Sequence, residues 1–299
     1  MFPSWVLIAI VGYISMAISQ LLDKALLNIA FKEVKAFVFL IAFLNVLVLG
    51  MIPFGVTFIE PSLLLIATIG GALFILALIP FLSALQGDEA SRVIPLVGGV
   101  VPLATLIGEV AFLGARLSTL DYLAFALLVV GSIVLTITHS GSGRRSYSAI
   151  AKAVFGAVLF AASFVITKYV FDHTTFVNGF FWMRLGGVLV AIGLFFLHDV
   201  RQGLKDFLKN NTKLVQSGYF ATQALNGGGV VLQNYAISLA SVSLVNALQG
   251  VQYLFIIAFV AIAAKFKPGL LGEKITVAIL IEKLAAVFII VAGIALLAI

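Results

Sequence analysis

Ten apolar runs occupy almost all of this 299-residue chain. Each is about 18–25 residues long, which is what a helix needs to cross the hydrocarbon core of a bilayer. They fall at roughly 4–23, 36–57, 62–84, 91–113, 118–138, 151–171, 177–197, 214–234, 239–264 and 277–298. The connections are short. The longest, "HSGSGRRSYSAIAK" at 139–152 and "HDVRQGLKDFLKNNTK" at 198–213, leave no room for a water-soluble domain. Only 10% of the residues are charged, against about 25% in a typical soluble domain, too few to cover a water-facing surface. The expectation is an all-α polytopic membrane protein with ten transmembrane helices. The first run has no basic flank and no small-residue cleavage site, so it reads as a retained span.

Charge sets an orientation. The formal net charge is +6, and fourteen of the eighteen Lys and Arg residues lie in or near the odd-numbered connections. Near the even-numbered connections and the termini stand Arg116, Lys168 and Lys283. The positive-inside rule places the odd connections in the cytoplasm and both termini outside. It also explains the basic balance without a nucleic-acid partner. The expected setting is the inner membrane of a prokaryote.

Catalytic chemistry finds little support. There is no cysteine, and His139, His173 and His198 sit near segment ends, so neither a metal site nor a catalytic constellation is expected. The "NGGG" run at 226–229 is not followed by Lys-Ser/Thr and is no phosphate loop. No cofactor and no enzymatic activity are expected.

The chain repeats itself. "GYISMAISQLLDK" (12–24) matches "GAVLFAASFVITK" (156–168) at Gly12/Gly156, Ala17/Ala161, Ser19/Ser163 and Lys24/Lys168, all at an offset of 144. "EASRVIPLV" (89–97) resembles "LASVSLVNA" (239–247), and "FLGARL" (112–117) resembles "LLGEKI" (270–275), in the same order within each half. Five spans per half is an odd number, so the second copy enters the bilayer from the opposite face. The expectation is two inverted five-helix repeats, residues 1–140 and 150–299, with a binding site near the midplane between them.

These features resemble the drug/metabolite transporter superfamily in its ten-helix EamA-like branch. The resemblance rests on the Gly-to-Lys first span of each half, "FWMRLGG" in span 7, "QNYAISLASVSLVNAL" across spans 8 and 9, and Pro95 with Pro102 in span 4. The branch's "LGE" signature is intact at Leu271-Gly272-Glu273 and altered to Leu113-Gly114-Ala115 in the first half. The resemblance implies a non-ATP transporter of small metabolites or drug-like molecules, often an exporter or exchanger, working by alternating access. Two departures stand out. Offset 144 from Arg184 lands on Leu40, and the branch usually places its termini in the cytoplasm.

Candidate site residues follow from polar groups inside apolar runs. Arg184 lies about seven residues, or roughly 10 Å, into span 7; a charge at such depth usually faces a bundle interior or cavity. Gly186 and Gly187 beside it favour close helix packing. In span 8, Gln223, Asn226 and Gln233 share one helical face, and Gly227 and Gly228 permit a kink or an unwound turn. In span 9, Asn246, Gln249 and Tyr253 share a face, with Gln252 one residue aside. Pro95 and Pro102 each remove a backbone hydrogen bond from span 4. Gln20, one turn before Lys24, completes the expected pocket lining. Lys24 and Lys168 read as interfacial anchors. No acid stands out at the centre of a span; Glu109 is the candidate proton carrier, while Asp121 and Glu282 open helices, where the dipole favours them. The amphipathic 201–213 stretch is expected to lie on the headgroup surface.

The expected function is transport of a small, anionic or zwitterionic solute through a pocket between the repeats. The alternative is a non-transporting membrane protein, an assembly factor or an intramembrane enzyme.

Overall fold

The computed structural model describes residues 3–31, 33–87, 90–137, 146–252, 254–255 and 277–297. Among these there is no strand. The helices are α1 (Ser4–Ala30), α2 (Val34–Leu44), α3 (Pro61–Gly87), α4 (Ala90–Leu113), α5 (Thr119–Ile137), α6 (Tyr147–His173), α7 (Phe176–Phe195), α8 (His198–Asn210), α9 (Lys213–Leu239), α10 (Val242–Ala247) and α11 (Val277–Leu296). Among the described residues six stretches are long and apolar enough to cross a membrane: Ser4–Asp23, Val34–Phe54, Pro61–Gly87, Leu96–Leu113, Tyr147–His173 and Phe176–Phe195. The chain is a multi-pass membrane protein.

The packing is that of lipid-embedded helices. Small residues are buried, among them Ala9, Ala17, Ala77, Ala153, Ala157 and Ala286. Large apolar side chains such as Leu7, Ile107, Phe155, Leu189 and Phe288 are exposed. Without a hydrophobic drive between helices in lipid, close backbone approach through small residues supplies the contact. α1 packs on α9, α3 on α6 and α7, α4 on α6, and α5 on α11. Glycines mark the crossings. A Cβ on Gly71 would run into the Met183 carbonyl, and one on Gly186 into that of Thr68, so α3 and α7 touch backbone to backbone.

Two spans depart from plain helices. The second turns from α-helix to 3₁₀-helix at Asn45 and continues so to Phe54, with Pro53 inside it and Gly55 closing it at φ 91°. The ninth begins as the six-residue α10, has a turn at Leu248, and is helical again at 249–252. α8 is amphipathic and is pinned to the bundle: its Phe207 stacks on Phe31, ring centroids 4.4 Å apart, within an aromatic cluster that includes Phe37 and Tyr219. This cluster closes the end of the bundle that carries α8.

The expectation of an unwound turn in span 8 is corrected here. α9 runs unbroken through Gly227 and Gly228, whose Cβ positions are open space. Gly229 instead packs on the Gly12 carbonyl and Met16. The helix persists because its backbone bonds are retained in a setting without water to replace them. α4 likewise stays helical through Pro95 and Pro102.

Candidate functional site

Arg184 is the ninth of the 20 residues of α7, hence near mid-depth. Its Nη1 donates to Asn45 Oδ1 at 3.3 Å. Asn45 is held in turn, its Nδ2 donating to the carbonyls of Ala42 (3.2 Å) and Ile41 (3.4 Å) at the point where α2 becomes 3₁₀. The guanidinium carbon lies 4.6 Å from the ring centroid of Phe180 and 5.7 Å from that of Phe74. Cation–π attraction of this kind strengthens where water is excluded. Among the described residues no carboxylate lies within ion-pair distance of Arg184.

The guanidinium borders a cleft between α3, α6, α7 and α9, lined among others by Gly70, Phe74, Ser163, Thr167 and Asn234. Ser163 gives its hydroxyl hydrogen to Gly70 O (2.8 Å), Thr167 to Ser163 O (2.8 Å), and Asn234 donates to Val230 O (2.8 Å). Towards a bound molecule these two hydroxyls could therefore only accept, while Arg184 only donates. The cleft is narrow, with a cavity volume of about 20 Å³, room for a single water.

A wider vestibule of about 370 Å³ opens at the end opposite α8, between residues 57–63 and the α6–α7 turn. Its floor is a latch. Thr57 N donates to Asn178 Oδ1 (2.8 Å), Asn178 Nδ2 to Thr57 Oγ1 (2.9 Å), and Trp182 Nε1 to Thr57 O (3.1 Å). Three bonds thus tie the 3₁₀-to-α3 connection to the first turns of α7, on the vestibule side of Arg184.

The polar face expected in span 8 does not line the Arg184 cleft; it joins α9 to α1. Gln223 Nε2 donates to Asp23 Oδ1 (2.7 Å), Ser19 Oγ to Asn226 Oδ1 (3.3 Å), and Gln233 Nε2 to Tyr13 Oη (3.1 Å) and Asn246 Oδ1 (3.3 Å). Asn246 continues to Thr105 Oγ1 of α4 (3.5 Å), and Tyr13 Oη to Val245 O (2.9 Å). This is a correction with a physical reason: amides buried among helices in lipid pair with one another before they face a cavity. Gln249 is half-buried, and Tyr253 lies outside the described residues. Gln252 is fully buried with neither amide atom partnered among the described residues, and Gln20 Oε1 is buried and unpartnered too.

Glu109 is buried at the start of α10. Its Oε2 accepts from Ser241 Oγ (2.8 Å) and Ser243 N (2.9 Å), and its Oε1 from Val242 N (3.1 Å). A carboxylate is thereby spent on the free N–H groups of a helix start. Asp121 caps α5 through Ser118, and Lys168 pairs with Asp172 one turn on at 2.7 Å.

Sequence reasoning missed Asn45, Ser163, Thr167, Asn234 and Asp23. Asn45 was visible as the lone amide of an apolar run. Ser163 and Thr167 share a helical face at i, i+4, a weak signal in a chain rich in such pairs. Asp23 was overlooked beside Lys24.

No protein-family model matches the chain, and no curated protein matches it. A solved structure described only as "Crystal structure of protein" is similar in fold, with a TM-score of 0.66 at 17% identity, covering 99% of this chain and 96% of that one. At that identity the likeness speaks for the fold alone.

Proposed function

We propose that this chain is a secondary transporter of small metabolites, built as two inverted five-helix repeats of the EamA-like kind and working by alternating access. Arg184 is its anion-binding group. The observation that carries this reading is a guanidinium at mid-depth, braced by Asn45 and two phenyl rings and with no carboxylate partner among the described residues. A charge held in a span is costly and is usually retained for a pathway or partner. The Arg184 donor suits an anionic group of the solute, and acceptors at Ser163 and Thr167 beside it suit an ammonium, as in a zwitterion.

The repeat reading has support in paired contacts. Gly12 meets α9 at Gly229, and its match Gly156 meets α3 at Ala77 and Phe81. Ser19 bonds across to Asn226, and its match Ser163 across to Gly70. With the basic connections in the cytoplasm, α8 lies on the inner face and the vestibule opens outside, with the Thr57 latch between it and Arg184.

Counterflow in proteoliposomes with radiolabelled amino acids and small carboxylates tests the reading. Arg184→Ala is expected to lower exchange at least about tenfold, equivalent to roughly 1.4 kcal/mol of lost interaction, while the melting temperature barely moves. Unchanged exchange in the variant would make Arg184 a structural tie. The narrowness of the cleft favours a second reading, a non-transporting membrane protein, which absence of exchange by the wild-type chain across the whole panel would support.

A further inference from the structure

Asp23 is a carboxylate at the end of the apolar stretch Ser4–Asp23, seven residues inside the end of α1. It is half-buried. The hydrogen bond described for it comes from a neutral amide, Gln223 Nε2 at 2.7 Å. Among the described residues no Lys, Arg or His lies within ion-pair distance; the side chain of Lys24 is outside them. α9, the element packed on α1 here, presents Gln223 and, one turn away, Tyr219. Among the described residues Tyr219 is a titratable group within electrostatic range, and its phenol hydrogen goes to Phe37 O at 3.4 Å. The aromatic cluster of Phe31, Phe37, Phe207 and Tyr219 lies between this site and the α8 end.

Hydrogen-bond accounting supplies the second observation. On the same face of α1, one turn before Asp23, Gln20 Oε1 is buried with no donor among the described residues. Gln20 Oε1 is thus an unmatched acceptor on the helix face that also carries the Asp23 carboxylate. A buried acceptor left unmatched is costly. A proton supplies the missing hydrogen. A metal cation does not fit as well, since Na⁺-like or Ca²⁺-like ions need a shell of oxygens, and Gln223 offers its N–H here.

We propose that Asp23 is a proton-binding site. The proton, taken from water, sits on a carboxyl oxygen and is shared towards Gln20, while Oδ1 keeps the Gln223 bond. Its place in the molecule has a counterpart: offset 144 carries Asp23 onto Thr167, which lines the Arg184 cleft. The link to transport rests on the transporter reading: a neutralised Asp23 lets α1 move against α9 without carrying a bare charge through the bilayer. Proton binding itself does not depend on that reading.

Infrared difference spectra of the reconstituted full chain, recorded between acid and neutral pH with buffer protons as the probe, test the proposal. A protonated-carboxyl C=O band is expected on acidification and is expected to vanish in Asp23→Asn. In Gln223→Leu, which removes the donor on the carboxyl, and in Gln20→Leu, which removes the acceptor towards which the proton is proposed to be shared, the band should shift in frequency; this arm serves should Asp23→Asn fail to fold. A difference spectrum unchanged in Asp23→Asn, or a band indifferent to both glutamine variants, would overturn the assignment, whether or not the protein transports anything.

Discussion

At the scale of single residues, one carboxyl and one guanidinium are held inside the bundle by opposite means. Glu109 is well satisfied, with three donors on its two oxygens. Arg184 is braced and left without a counter-charge among the described residues. Their variants should therefore diverge. Glu109→Ala leaves the N–H groups at the start of α10 without an acceptor, and hydrogen bonds to charged groups are worth about 1.5–3 kcal/mol each. Thermal unfolding in detergent should report a loss of at least about 2 kcal/mol, with any exchange that survives keeping its solute preference. Arg184→Ala should do the reverse, sparing stability and removing exchange. The sequence made Arg184 legible because one charge in an apolar run has few explanations. It did not reveal that Glu109 caps a helix: the start of span 9 at about 239 and the N-cap Ser241 are visible in sequence, but nothing local says that a carboxylate of α4 reaches that start. The amides of span 8 were rightly placed on one face, yet periodicity says which residues share a face and not what that face meets.

At the scale of elements, the glycines of α9 and α7 separate conformational freedom from close approach. Gly227 and Gly228 face open space within a continuous helix, whereas Gly229 meets Met16 and the Gly12 carbonyl. Gly228→Ala should stabilise by about 0.5–1 kcal/mol through helix propensity alone. Gly229→Ala should destabilise, because the added methyl has no room. Gly186→Ala should be worse still, costing about 1–3 kcal/mol or more, since its Cβ would meet the backbone of Thr68 and not a side chain that can yield. Equilibrium unfolding of the three variants in one detergent checks the order. An unwound turn at the triple glycine was a reasonable expectation from propensity, which lipid overrides by leaving broken backbone bonds unpaired. The 3₁₀ stretch after Asn45 was not legible: only its Pro53 is visible in sequence, and the Asn45–Arg184 bond that accompanies it is a tertiary contact.

At the scale of the whole molecule, apolar run length gave the positions of most helices to within a few residues. The charge bias makes a prediction that the fold alone does not. Because the chain has no cysteine, single cysteines can report sidedness without a background. Ser118→Cys, before α5, should react with an impermeant maleimide from outside intact cells. Gln202→Cys on α8 should react only after permeabilisation. The opposite pattern would invert the molecule and put the vestibule in the cytoplasm. Ser163 offers a deeper report, since it lines the Arg184 cleft and differs from cysteine by one atom. A transporter that alternates must expose this position to water in some part of its cycle, although the cleft is narrow here. The decisive measurement is the reaction rate of Ser163→Cys with a small impermeant thiol reagent in oriented membranes. The account predicts measurable labelling that a transported solute slows and that Arg184→Ala frees from that protection; a cysteine inert from both faces would contradict it.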